Sequence, residues 1–155
     1  MKKLLFVSIF LIAGLATFAQ SVWVGGAPGR TNDWMEPRNW QDQRVPGWED
    51  NVMIPHLWHD YYPEVNRPVP AIAHLEVEGG ARLSITEKGY LPIDGGNTHN
   101  SGILLIGTIQ NRGVVSIINT AEAPIDGQAG QLASQGDGRL IAEDNRLAAN
   151  QPGGQ

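Results

Sequence analysis

Between residues 75 and 93 the chain keeps a strict beat. Leu75-x-Val77, Leu83-x-Ile85 and Leu91-x-Ile93 recur every eight residues, and the turn formers Gly79-Gly80 and Lys88-Gly89 fill the gaps. Side chains alternate across a strand, so each apolar pair points to one face, with Glu76, Ser84 or, as the exception, Pro92 between them. Short strands punctuated this regularly predict an all-β solenoid, a coil of rungs stacked on one shared core. A helix fails over the same span, because glycine recurs too often and apolar residues do not return every 3.6 positions. The competing fold is an antiparallel β-sandwich with hairpins at Gly79-Gly80 and Asn111-Arg112-Gly113.

The pattern continues after an interruption. Residues 94–102 read as a polar loop with Gly95-Gly96 and Asn100-Ser101-Gly102 as turn formers. Ile103 to Ile106 is a continuous apolar run expected to form a buried strand, and Val115-x-Ile117 resumes the alternation. The predicted inward set is therefore Leu75, Val77, Leu83, Ile85, Leu91, Ile93, Val115 and Ile117.

The N-terminus reads as an export signal. Lys2 and Lys3 precede an apolar stretch from Leu4 to Leu15, and Thr17-Phe18-Ala19 offers small residues for cleavage before Gln20. The stretch is shorter than the roughly 20 residues that span a bilayer, so no membrane span is expected after cleavage. The remaining residues divide into a Trp/Pro-rich cap region (20–70), solenoid rungs (71–120) and a Gly/Gln/Asn-rich tail (121–155). In that tail Leu140-Ile141 could add one last rung, and from about Gly127 onward fast amide exchange is expected. All five tryptophans lie in the cap region, where tryptophan and proline can close the exposed end of the stack.

Composition narrows the function. The chain has no cysteine, so an exported domain must rely on core burial and repetition. A formal charge of −5 with scattered Lys and Arg argues against nucleic acid. His56-x-x-His59-Asp60 has the wrong spacing and neighbours for a zinc helix, so no metal or cofactor is expected. The carboxylate pairs Glu49/Asp50, Glu76/Glu78 and Glu143/Asp144 lack a partner base or pocket, and no catalytic residue is assigned. Trp23, Trp40 and Trp48 are expected to fill the cap core. Trp58, Tyr61 and Tyr62, set among polar neighbours, are the candidate ligand-binding residues, suited to stacking on sugar rings. Because buried tryptophan is the commoner case, removing Trp58 and Tyr61 is expected to lower the melting temperature instead of abolishing a sugar site.

The ordered series Val22-Trp23-Val24-Gly25-Gly26, Asp33-Trp34, Arg38-Asn39-Trp40, Val45-Pro46-Gly47 and Asp50-Asn51-Val52-Met53-Ile54-Pro55 is followed by Leu75 to Ile85 and by Gly107 to Ile117. It resembles the cap and first rungs of secreted adhesin-like β-helix proteins of gliding bacteria, and is similar to the eight-glycine extracellular domain. The resemblance covers Val22 to Ile117. It implies a right-handed parallel β-helix with a non-enzymatic role in cell-surface adhesion or extracellular matrix structure. Expected partners are an extracellular polysaccharide or another surface protein. The alternatives are a carbohydrate-binding module and the remnant of a β-helical polysaccharide-degrading enzyme. The chain carries few rungs and lacks the C-terminal sorting domain of many relatives, so a periplasmic location stands beside a secreted or surface one.

Overall fold

The computed structural model describes residues 20–96, 101–128 and 131–142. The expected export signal, the Glu143/Asp144 pair and the end of the tail lie outside the described residues. The first sheet holds β1 (Gln20–Val22), β2 (Asn51–Ile54), β4 (His74–Val77), β7 (Ile103–Leu105) and β10 (Ile125–Gly127). The second holds β3 (Glu64–Val65), β5 (Arg82–Ile85), β8 (Thr108–Asn111) and β11 (Leu132–Ser134), and the third β6 (Tyr90–Asp94), β9 (Val114–Ile118) and β12 (Arg139–Ala142). The chain visits the sheets in rotation, and every pairing between these strands is parallel. This is a β-solenoid of about four turns, and it excludes the antiparallel sandwich.

Register turns the apolar beat into columns. Val52, Leu75, Ile103 and Ile125 stack in the first sheet, Leu83 on Ile109 and Leu132 in the second, and Leu91 on Val115 and Leu140 in the third. The eight residues predicted to face inward are all buried. Parallel stacking places each apolar pair directly over its equivalent, so one pattern per turn builds a continuous core.

Four features differ from the sequence expectation. Parallel stacking starts with β1 on β2, well before residue 71, and β3 gives the β2 turn a second side. The first turn has no third strand; Pro68 and Ile72 make isolated bridges to Tyr90 and Ile93 instead. The tail is not free of rungs beyond Gly127: β12 is the last rung offered at Leu140-Ile141, and β11 adds a side on β8 that the sequence did not suggest. The Ile103–Ile106 run is not buried throughout: Ile103 and Leu105 face the core, Leu104 is half-buried, and Ile106 is exposed at the following corner. Finally, Trp48 does not fill the cap. It is 72% exposed.

The cap is built instead from Trp23, Trp34 and Trp40, all buried. Trp40 meets Trp23 edge-to-face at 5.0 Å and Trp34 at 4.8 Å, and its indole N–H donates to the Trp34 carbonyl at 2.8 Å. Each such aromatic pair adds about 0.5–1.5 kcal/mol beyond area burial. Asn39, buried at the end of a short 3-10 helix (Pro37–Asn39), ties the cap loops together. Its amide donates to the Arg30 and Asp33 carbonyls and its oxygen accepts from the Ala27 N–H.

Candidate functional site

Two exposed tryptophans mark two different corners of the stack. The first corner follows β2, where residues 55–63 bulge out before β3. The backbone of this loop is tied down along its length. The His56 N–H donates to the Glu78 carboxylate at 2.9 Å, and the Leu57 N–H to the Tyr62 hydroxyl at 3.0 Å. Arg82 pairs with Asp60 and lies 5.2 Å from the centre of the Tyr62 ring. The Tyr61 carbonyl accepts the Trp23 indole N–H at 2.8 Å, which joins loop to cap. That approach needs glycine at position 25, where a Cβ would come within 2.3 Å of the same carbonyl.

The three predicted ligand-binding residues therefore separate. Trp58 is 93% exposed and Tyr61 45%, whereas Tyr62 is only 6% exposed and is packed into the core cluster. Tyr62 acts as the strut of the loop and is not part of its outer face. His59 takes its place there, sitting 4.9 Å from both the Trp58 and the Tyr61 rings. The result is a row Trp58–His59–Tyr61 on a braced loop. Trp58 is exposed, in keeping with its polar neighbours, so its own indole does not fill the cap.

No metal site forms here. The His56 ring lies against Gly80, and His59 Nδ1 accepts from the Tyr61 N–H at 3.3 Å. Among the described residues no group of three or more His, Cys, Asp or Glu could hold a metal ion.

The second corner carries Trp48, in the turn that leads into β2. The turn closes with the Asp50 N–H donating to the Gly47 carbonyl at 3.0 Å and the Gly47 N–H to Asp50 Oδ2 at 2.7 Å. Arg44 grips both oxygens of the buried Asp50 carboxylate at 2.5 Å, and also pairs with Asp42. The Arg44 guanidinium holds the Asp50 carboxyl below its ordinary pKa, burial opposes it, and the Gly47 N–H adds to the lowering. A carboxyl whose pKa is depressed by folding stabilises the fold above its unfolded pKa. That stability is lost as pH falls from about 4 through the folded pKa. Asp50→Asn is expected to cost about 1–3 kcal/mol at neutral pH, the scale for weakening a buried polar contact. Urea melts of both proteins should show the gap closing as the solution is acidified below about pH 4; a gap independent of pH would rule out this role.

Beneath Trp48 lies a groove of about 330 Å³, lined further by Ala71, Ala73 and Gly95, with Glu49 and Asp94 as its ionisable residues. Sequence reading missed this site because tryptophan is buried on average. The available signal was its place in Val45-Pro46-Gly47-Trp48-Glu49-Asp50, a turn sequence whose second half holds an acidic residue able to lock it. No protein-family profile, curated protein or solved structure gives a significant match to this chain. The fold and the two aromatic corners define a capped parallel β-solenoid with exposed aromatic side chains.

Among the described residues no helix is long and apolar enough to cross a membrane.

Proposed function

We propose that this protein is an exported, non-enzymatic β-solenoid module that attaches to extracellular polysaccharide, at the cell surface or in matrix, through the Trp58–His59–Tyr61 row. One observation carries the reading: an almost fully exposed tryptophan stands beside two further rings on a loop braced through the backbone at His56, Leu57 and Tyr61 and through the Asp60 side chain. Leaving a large indole in water is unfavourable unless it meets a partner, and an ordered loop loses little further entropy on binding. Flat aromatic faces suit the apolar faces of sugar rings. The outward positions of the strands, such as Glu76 and Ser84, are half-buried polar residues that keep the flanks of the stack soluble.

The test is the double variant Trp58→Ala, Tyr61→Ala on a glycan array. Binding to neutral polysaccharide should weaken by about tenfold or more, a loss of about 1.4 kcal/mol. The bond from the Trp23 indole to the Tyr61 carbonyl survives both substitutions, so the melting temperature should stay close to that of the parent. Full glycan binding by the variant, or none by the parent, would reject this reading. A large fall in melting temperature would return these rings to a structural role.

A further inference from the structure

The geometry points to a second binding site, at the Trp48 groove, that takes the ammonium end of a lysine side chain on a partner polypeptide. This site is independent of the aromatic loop, since it lies at the corner where β6 hands the chain back to the first sheet. The indole is not loosely displayed. The Arg44–Asp50 pair and the Gly47–Asp50 turn fix its backbone, and the Ala73 N–H donates to the Asp50 carbonyl at 2.9 Å, fastening the turn to the groove.

The groove combines three properties. It is about 330 Å³, at the small end of the range for ligand sites and enough for one long side chain. Ala71, Ala73 and Gly95 give it a lining of small residues beside Trp48, so a methylene stem can lie along it. Among the described residues its ionisable lining is acidic, Glu49 and Asp94. Arg44, the nearby cation of the turn, is engaged by Asp42 and Asp50. Asp94 is itself oriented: its Oδ1 accepts from the Gly96 N–H at 3.0 Å and from the Asn119 amide at 2.9 Å.

An anionic ligand is repelled by this arrangement, and a neutral one gains nothing from the charge of the two carboxylates. A lysine satisfies all three properties. Its stem packs on apolar surface, its compact charge interacts with the indole face, and its three N–H donors reach carboxylate oxygens. The acidic balance of the whole chain, −5, draws a basic partner in the same sense.

The experiment titrates the full chain with an acetylated, amidated pentapeptide carrying one central lysine. It follows heat release and the indole N–H resonance of Trp48. The peptide should bind and move that resonance. Affinity should fall at least about tenfold in Trp48→Ala and in the double variant Glu49→Gln, Asp94→Asn. It should also fall as salt rises from about 0.02 to about 0.2 M, as screening shortens the reach of the two carboxylates. The same peptide with its lysine acetylated should not bind. The Trp58→Ala, Tyr61→Ala variant should bind it normally, which separates this site from the polysaccharide reading. Melting curves of each variant confirm that it is folded. Equal binding of the acetylated peptide, retention of affinity in the carboxylate double variant, or no binding by the parent would overturn the proposal. Binding of choline without binding of the peptide would also overturn it, marking a site for free small cations instead.

Discussion

Replacing Leu83 with alanine is expected to destabilise the fold by about 2–5 kcal/mol, the range for truncating a fully buried leucine. Leu83 has no exposed surface, sits in β5 between β3 and β8, and stacks directly on Ile109 of the next turn. The turns above and below are held at fixed spacing by backbone hydrogen bonds, so the cavity cannot close by simple collapse. Urea unfolding measures the effect. Ser84→Ala, on the outward side of the same strand, provides the comparison and should change stability by no more than about 0.5 kcal/mol. Equal effects at the two positions would mean that the apolar columns are not the core.

Gly113→Ala is expected to be as damaging, for the opposite reason. A Cβ at Gly113 would lie 2.3 Å from the Gly89 carbonyl oxygen and 2.4 Å from that of Thr86, both in the turn before. Gly89 and Gly138 occupy the same corner of the neighbouring turns and make the same approach, to the Val65 and Asn111 carbonyls, each at 2.2 Å. The three form a column at the step from the second sheet to the third, where successive turns come too close for any side chain. Relief requires the turns to part, not a side chain to rotate. The cost should therefore reach about 3 kcal/mol, the upper end for overpacking. Gly79→Ala is the matched control, since its Cβ would meet only Ile106 at an ordinary 3.5 Å. A Gly113→Ala protein that melts with the parent would show that the stack tolerates a wider spacing there.

These glycines also explain how the fold was legible in the sequence. The eight-residue beat from Leu75 to Ile93 is the length of one side of the coil, a strand plus its corner, and three sides make a turn. Only the second turn, β4–β5–β6, keeps that spacing; in the third, shorter corners bring Ile103, Ile109 and Val115 six residues apart. In the first turn the 55–63 loop separates β2 from β3, so Val52-x-Ile54 and Val65 lie off the beat although they belong to the same columns. In the last turn the inward positions include Gly127, Ser134 and Ala142, which leaves too little apolar signal to read as strands. The candidate sites were less legible for a related reason. Residue type predicts average burial, whereas Trp48 and Trp58 are held outward by particular partners, the Arg44–Asp50 pair and the braces of the 55–63 loop. Those partners are distant enough in the chain, or ordinary enough in type, that no spacing announces them.

The two isolated bridges that stand where the first turn lacks a third strand have a mechanical meaning. Hydrogen bonds in a solenoid run along its long axis, so tension on that axis pulls each joint between turns open bond against bond. The joint between the second and third turns resists with three ladders at once. The joint above it has one four-residue ladder, a two-residue ladder at β3, and isolated bridges at Pro68 and Ile72 with two backbone hydrogen bonds each in place of a third ladder. A load entering through the Trp58 loop and leaving through the later turns must cross that thinner joint. It is the seam at which the coil should part first under strain, and the tryptophan cluster would come away with the tethered end.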